Sequence, residues 1–207
     1  MTIRYPNGKK YVPVRTSKSQ KLKNPSFSNR GKSLEDELNE SNDYYLSRGI
    51  AVIHKKPVPV QVVKVSYPAR SAARITEAYF GTPSTTDYNG VWKGIYVDFE
   101  AKETKIKTSF PLNNIKEHQI QHMQNVTNAG GFAFLIIKFT TLERYFIVPF
   151  EMVERKWDRM KAGGRKSITL LEFENTSVEV QPGYIPRLDY LNAVETLMKL
   201  YDDKIER

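Results

Sequence analysis

Residues 132–139 read Phe-Ala-Phe-Leu-Ile-Ile-Lys-Phe, and residues 144–150 read Arg-Tyr-Phe-Ile-Val-Pro-Phe. Two apolar runs this short and this dense are expected to be central strands of a sheet covered on both faces. The longest unbroken run, Phe132–Ile137, is six residues, whereas a membrane-spanning helix needs about 18. A third strand is predicted over Trp92–Glu103. There Ile95, Val97, Phe99 and Ala101 alternate with Tyr96, Asp98, Glu100 and Lys102, giving one apolar and one polar face. Helical spacing places helices over 32–48 (Leu34, Leu38, Tyr45, stopped by Gly49), over 112–127, over Glu151–Lys161 (stopped by Gly163-Gly164) and from Pro186 onward. Ile50–His54 reads as a short strand, and Ala72–Phe80 as a short helix. Helices and strands alternate without a repeat, so the expected fold class is α/β, a mixed sheet flanked by helices.

Charge divides the chain. Of 32 Lys and Arg residues, nine fall within residues 1–32, which hold no acid, and the remainder balances at 23 basic against 23 acidic. Residues 1–29, rich in Ser, Asn and Pro, are expected to form a flexible basic arm, with the folded domain over 30–207. Such arms bind polyanions because neutralised phosphates release counterions; a solubilising tail has the same composition. The chain has no cysteine, which removes disulfides, thiol nucleophiles and Cys-type zinc sites. The N-terminal residues lack the apolar core of a signal peptide, so a cytoplasmic protein without a membrane span is expected.

A second acid-free stretch runs from Tyr44 to Thr76, carrying Lys55, Lys56, Lys64, Arg70 and Arg74. Its valines favour strand, while Pro57, Pro59 and Pro68 exclude a central place in a sheet. The combination predicts a projecting hairpin or stalk inserted at about 57–82.

The residues that carry chemistry are Asp87 and the run Glu100-Ala101-Lys102. Glu-x-Lys alone is common, and Glu103-Thr104-Lys105 and Glu154-Arg155-Lys156 also occur. Only Glu100 and Lys102 share the polar face of a strand with an apolar back. If Asn89-Gly90 makes a hairpin turn, Asp87 and Glu100 meet across two paired strands. Two converging carboxylates either bind a hard divalent cation or raise one pKa. Lys102 would then offset charge developing on a phosphate. From spacing alone, the same pattern suits a surface strand with ordinary ion pairs. On a helical wheel Gln119 falls among Leu112, Ile115, Met123 and Val126, an inward amide that needs a partner.

Acid followed by Glu-x-Lys on the next strand resembles the PD-(D/E)xK nuclease superfamily, with its restriction-endonuclease-like fold. The blocks Arg4-Tyr5-Pro6-Asn7-Gly8, Asn29-Arg30-Gly31 with Leu34-Glu35, Ala51 to Pro57, Ser84 to Gly90 and Asp98 to Thr104 resemble, across nearly the whole chain, the RecU family of bacterial Holliday junction resolvases. That resemblance implies a homodimeric, Mg²⁺-dependent endonuclease, with Mn²⁺ able to substitute, that cuts four-way junction DNA symmetrically. It implies nucleoid association and contacts with the recombinase RecA and branch-migration proteins. Asp87 and Glu100 match the metal-binding acids, Lys102 the catalytic lysine, Thr85 and Gln119 further metal positions, and Glu35 the acid of the first helix. Arg30, Lys55 and Arg70 match DNA-handling residues, and Lys56 and Arg74 of the acid-free stretch join them as expected DNA contacts. Thr86 stands where the superfamily motif has Pro.

His118 and His122 have the spacing of a zinc helix, but Gln119 replaces the general-base Glu. Gly163-Gly164-Arg165-Lys166 lacks the spacing of a phosphate loop. Two other readings remain compatible with the composition: a non-catalytic architectural DNA binder with a nuclease-like fold, and an RNA-binding protein using the basic arm.

Overall fold

The computed structural model describes residues 33–68, 72–81 and 85–205. The basic stretch 1–29, Arg30, Arg70 and Ser84 lie outside them.

Helix α1 (Leu34–Ser47) is opened by Ser33, whose hydroxyl accepts from the Asp36 amide while the Asp36 carboxylate accepts from the Ser33 amide. Gly49, at φ 65°, ends it. A six-stranded sheet follows in the order β1 (Ala51–Lys55), β4 (Tyr88–Trp92), β5 (Ile95–Thr104), β7 (Phe132–Phe139), β8 (Arg144–Pro149), β10 (Val178–Val180). Only β5 and β7 are parallel; every other neighbouring pair is antiparallel. Alternation along β7 builds two cores. Phe134 and Ile136 join Val97, Phe99 and Ile147 under α1 and α5 (Tyr190–Ile205). Leu135 and Ile137 join Phe146 and Val148 under α2 (Glu117–Asn128), α3 (Phe150–Lys161) and α4 (Leu170–Thr176). The sheet is thus covered on both faces, as its apolar central strands require.

Between β1 and β4 the chain makes a separate hairpin, β2 (Val60–Ser66) with β3 (Arg74–Phe80). Its strands pair with each other and not with the main sheet. The side chains of Val60, Val62, Val63, Ile75, Tyr79 and Phe80 are exposed. The helix expected at 72–80 is therefore a strand: Val60 to Ser66 offers a pairing edge, and tertiary pairing outweighs local propensity. The prolines fit at the ends, where the Pro59 carbonyl accepts from the Gly81 amide at 2.8 Å.

The helix expected over 112–127 begins only at Glu117. Leu112–Asn114 is a 3₁₀ turn, and Ile115 and Lys116 are extended. The last helix begins at Tyr190 rather than Pro186. Strands β6 (Ser109–Pro111) and β9 (Ser167–Thr169), which pair with each other, were not foreseen, because three residues are too short for an alternation to show. None of the described helices is long and apolar enough to cross a membrane.

Candidate active site

Strand register brings the two acids together. The β4–β5 hairpin pairs Trp92 with Ile95 and Tyr88 with Phe99, so Asp87 stands opposite Glu100 one step further on. The turn is Lys93-Gly94, with φ 50° and 79°, the positive values at both positions that a type I′ hairpin turn needs. Lys93 is held there by Glu195 at 2.8 Å and by the Trp92 ring, 4.8 Å from its ammonium. The turn expected at Asn89-Gly90 is instead the middle of β4. Gly90 faces β1 so closely that a Cβ would lie 2.0 Å from the Val52 carbonyl oxygen. That glycine serves a close strand approach.

Asp87 and Glu100 interlock. The Asp87 amide donates to Glu100 Oε2 at 3.1 Å, and Asp87 Oδ2 accepts from the Ala101 amide at 3.4 Å. Glu100 is fully buried, and its Oε1 also accepts from Lys102 Nζ and, at 2.6 Å, from Gln119 Nε2. Burial pushes the Glu100 carboxyl up, Lys102 opposes this, and the Asp87 charge adds to the rise, leaving it at about 8. The Gln119 carbonyl in turn accepts from the Lys116 amide at 2.9 Å, which fixes the amide against the start of α2.

The other expected site residues are distributed around this pair. Thr85 is half-buried, two residues before Asp87. Glu35, itself exposed in the first turn of α1, accepts from Lys55 Nζ and makes no bond to Asp87 or Glu100. Arg74 is exposed on β3. Lys56, expected to face DNA, turns inward. Its ammonium lies 2.7 Å from Asp98 Oδ2, 2.9 Å from Thr86 Oγ1 and 3.3 Å from His122 Nε2. Among the described residues no three His, Cys, Asp or Glu side chains gather as a metal cluster; Asp87 and Glu100 are the two carboxylates that meet through the bonds above.

Asp98 is what the sequence reading passed over. It is fully buried on the face of β5 that also carries Glu100, and it accepts from Thr86 Oγ1, Lys56, Tyr96 and His122. The signal was a carboxylate two residues from Glu100 on the same face. Its burial leaves no local mark in the sequence, because the helix that covers it, α2, lies about twenty residues away.

A sheet covered on both faces, bearing an acid and a Glu-x-Lys on adjacent strands, defines an α/β protein with a paired-carboxylate and lysine centre. The Recombination protein U family model matches residues 29–196, and the chain belongs to that family. The Holliday junction resolvase RecU of Bacillus cereus (strain G9842) is 54% identical over 95% of this chain and 98% of its own. The protein of the same name from Bacillus mycoides (strain KBAB4) is also 54% identical, with the same coverage. The solved Hjc Holliday junction resolvase of Archaeoglobus fulgidus superposes with a TM-score of 0.40 at 10% identity, over 67% of this chain and 93% of that one. That likeness adds nothing to the fold described above.

Proposed function

We propose that this protein is a divalent-metal-dependent endonuclease that resolves four-way DNA junctions by symmetric strand cleavage. The observation that carries the reading is the Asp87–Glu100 pair with Lys102 bound to it, in a chain 54% identical to proteins named Holliday junction resolvase. The donor set suits Mg²⁺, with Mn²⁺ as a substitute. Mg²⁺ favours one or two carboxylates completed by substrate phosphate and water. A buried carboxyl lifted to about 8 beside a second acid is one that a cation would stabilise in its charged form.

Asp87 and Glu100 would hold the cation, with the Thr85 hydroxyl beside them and Gln119 keeping Glu100 in its rotamer. Bound there, the cation supplies Lewis-acid polarisation of the scissile phosphate. Lys102, hydrogen-bonded to Glu100, would offset charge on the phosphate during attack. The exposed β2–β3 hairpin selects a branched substrate by shape, since a continuous duplex has no open centre to receive it. The basic stretch 1–29 adds salt-dependent affinity. A two-fold dimer sets two such sites on strands of like polarity, matching the symmetry of the junction.

The test is a synthetic four-way junction incubated with Mg²⁺ and wild-type, Asp87→Ala or Glu100→Ala protein. Symmetric nicks from wild type alone, with junction binding kept by both variants, support the reading. Equal cutting by the variants overturns the site.

A further inference from the structure

We propose that Asp98 is a positioning residue that fixes Asp87 against Glu100 by holding the two groups on either side of it, Thr86 and Lys56. The inference rests on the metal-site reading of Asp87 and Glu100 and names what keeps that pair in place.

Asp87 immediately precedes β4, and its backbone is held from two directions. Its amide donates to Glu100, and its carbonyl accepts from the Lys56 amide at 2.7 Å. Neither bond restrains the residue before it. Thr86 is only 3% exposed, and its hydroxyl is used twice, donating to Asp98 Oδ1 and accepting from Lys56 Nζ at 2.9 Å. Lys56 is also used twice, its amide on the Asp87 carbonyl and its ammonium on Thr86 and Asp98.

A closed ring results. It runs from Asp98 to the Thr86 side chain, along the backbone to Asp87, across to the Lys56 amide and back through the Lys56 side chain to Asp98. Two carboxylates on one face of β5 thus grip the two consecutive residues that lead into β4: Asp98 the side chain of Thr86, Glu100 the amide of Asp87. The fixed φ of a proline at 86 would restrict the backbone covalently; here hydrogen bonds to a buried anion do it.

Asp98 is not itself a third ligand. Lys56 at 2.7 Å, Tyr96 at 3.0 Å and His122 at 3.1 Å surround its Oδ2, and Thr86 holds Oδ1. An acceptor already ringed by an ammonium and three further groups is spent on structure.

The experiment compares Thr86→Val, which keeps the shape and loses the hydroxyl, with Thr86→Ser, which keeps the hydroxyl. Hydrogen exchange of the Asp87 amide is read without metal, and calorimetric binding of Mn²⁺ without DNA. The Leu135 amide in the core of β7 serves as a control for global unfolding. Thr86→Val is expected to lose about tenfold in Asp87 protection relative to Leu135, the effect of one charge-assisted hydrogen bond. It should also bind Mn²⁺ about 10–100-fold more weakly, as when an outer hydrogen bond to a ligand is cut. Thr86→Ser should restore both. Unchanged Asp87 protection in Thr86→Val, or equal loss in Thr86→Ser, overturns the clamp. Wild-type protein that binds Mn²⁺ no better than Asp87→Ala overturns the metal-site reading instead, and shows up in a different measurement.

Discussion

The amide of Asp87 donates into the carboxylate of Glu100 at 3.1 Å, so the half-exposed acid of the pair helps to hold the buried one. The cost of ionising Glu100 therefore lies in the folded state. Its folded pKa of about 8 is above the ordinary value of 4.5, so the folded protein binds this proton more tightly than the unfolded chain does. The associated stability is complete below the unfolded value and is lost as pH rises through the folded one. Metal-free wild type should lose stability between pH 5 and pH 9 relative to Glu100→Gln. The gap in thermal midpoint should widen by on the order of 10 °C, since a difference of one pKa unit is about 1.4 kcal/mol and 1 kcal/mol moves a domain of this size by about 2–4 °C. Adding Mg²⁺ should shrink it. A gap that stays constant with pH would show that Glu100 is ionised throughout.

Gln119 ties α2 to the same carboxylate at 2.6 Å. Gln119→Leu should lower the rate of junction cleavage by about 10–100-fold, the usual penalty for losing an orienting partner, with junction affinity unchanged. Gln119→Glu should be worse, because it sets a third negative charge against Glu100. Single-turnover cleavage beside a gel-shift assay separates the two effects.

On the far face of the sheet, Glu37 is 1% exposed. It accepts from Lys138 at 3.0 Å, from Tyr145 at 3.1 Å and from Arg187 at 3.2 Å. Glu37→Ala removes the carboxylate on which all three converge, and breaking a buried ion pair from one side costs about 3–5 kcal/mol. Urea unfolding should show a loss of this size. Glu37→Gln should recover part of it through the Tyr145 hydrogen bond.

Replacing residues 58–78 by a short linker should leave Mn²⁺ binding intact and reduce the preference for a four-way junction over duplex. Competition binding at fixed salt reads this directly. Equal loss of junction and duplex affinity would show that the β2–β3 hairpin is not the selector.

The central strands were legible because β7 and β8 are buried on both faces, which leaves no freedom in their residue choice. The inward position of Gln119 was legible for the same reason, as a polar residue on an apolar stripe. The hairpin turn was not. Asn89-Gly90 has the stronger local turn chemistry, but Gly90 is needed where β1 crosses within 2.0 Å of its missing Cβ, and Lys93 is tolerated at positive φ by Trp92 and Glu195. The true turn is what sets Asp87 opposite Glu100: a two-residue turn at Asn89-Gly90 would have set it opposite Trp92, eight residues short. The burial of Lys56 and Asp98 was not legible in either residue alone. A lysine in a basic stretch and an acid on a polar face each look solvated until α2 is laid over them.

The β2–β3 hairpin joins the main sheet only through β1 and β4, whose last pairing before it is Lys55 with Tyr88. The chemistry is counted from the other end, from the Lys93-Gly94 turn outward. Residues can be added to or removed from the hairpin without changing the thirteen-residue separation of Asp87 and Glu100. If the proposed roles hold, substrate choice and bond breaking lie in separable stretches of one chain, and the first can drift while the second stays fixed.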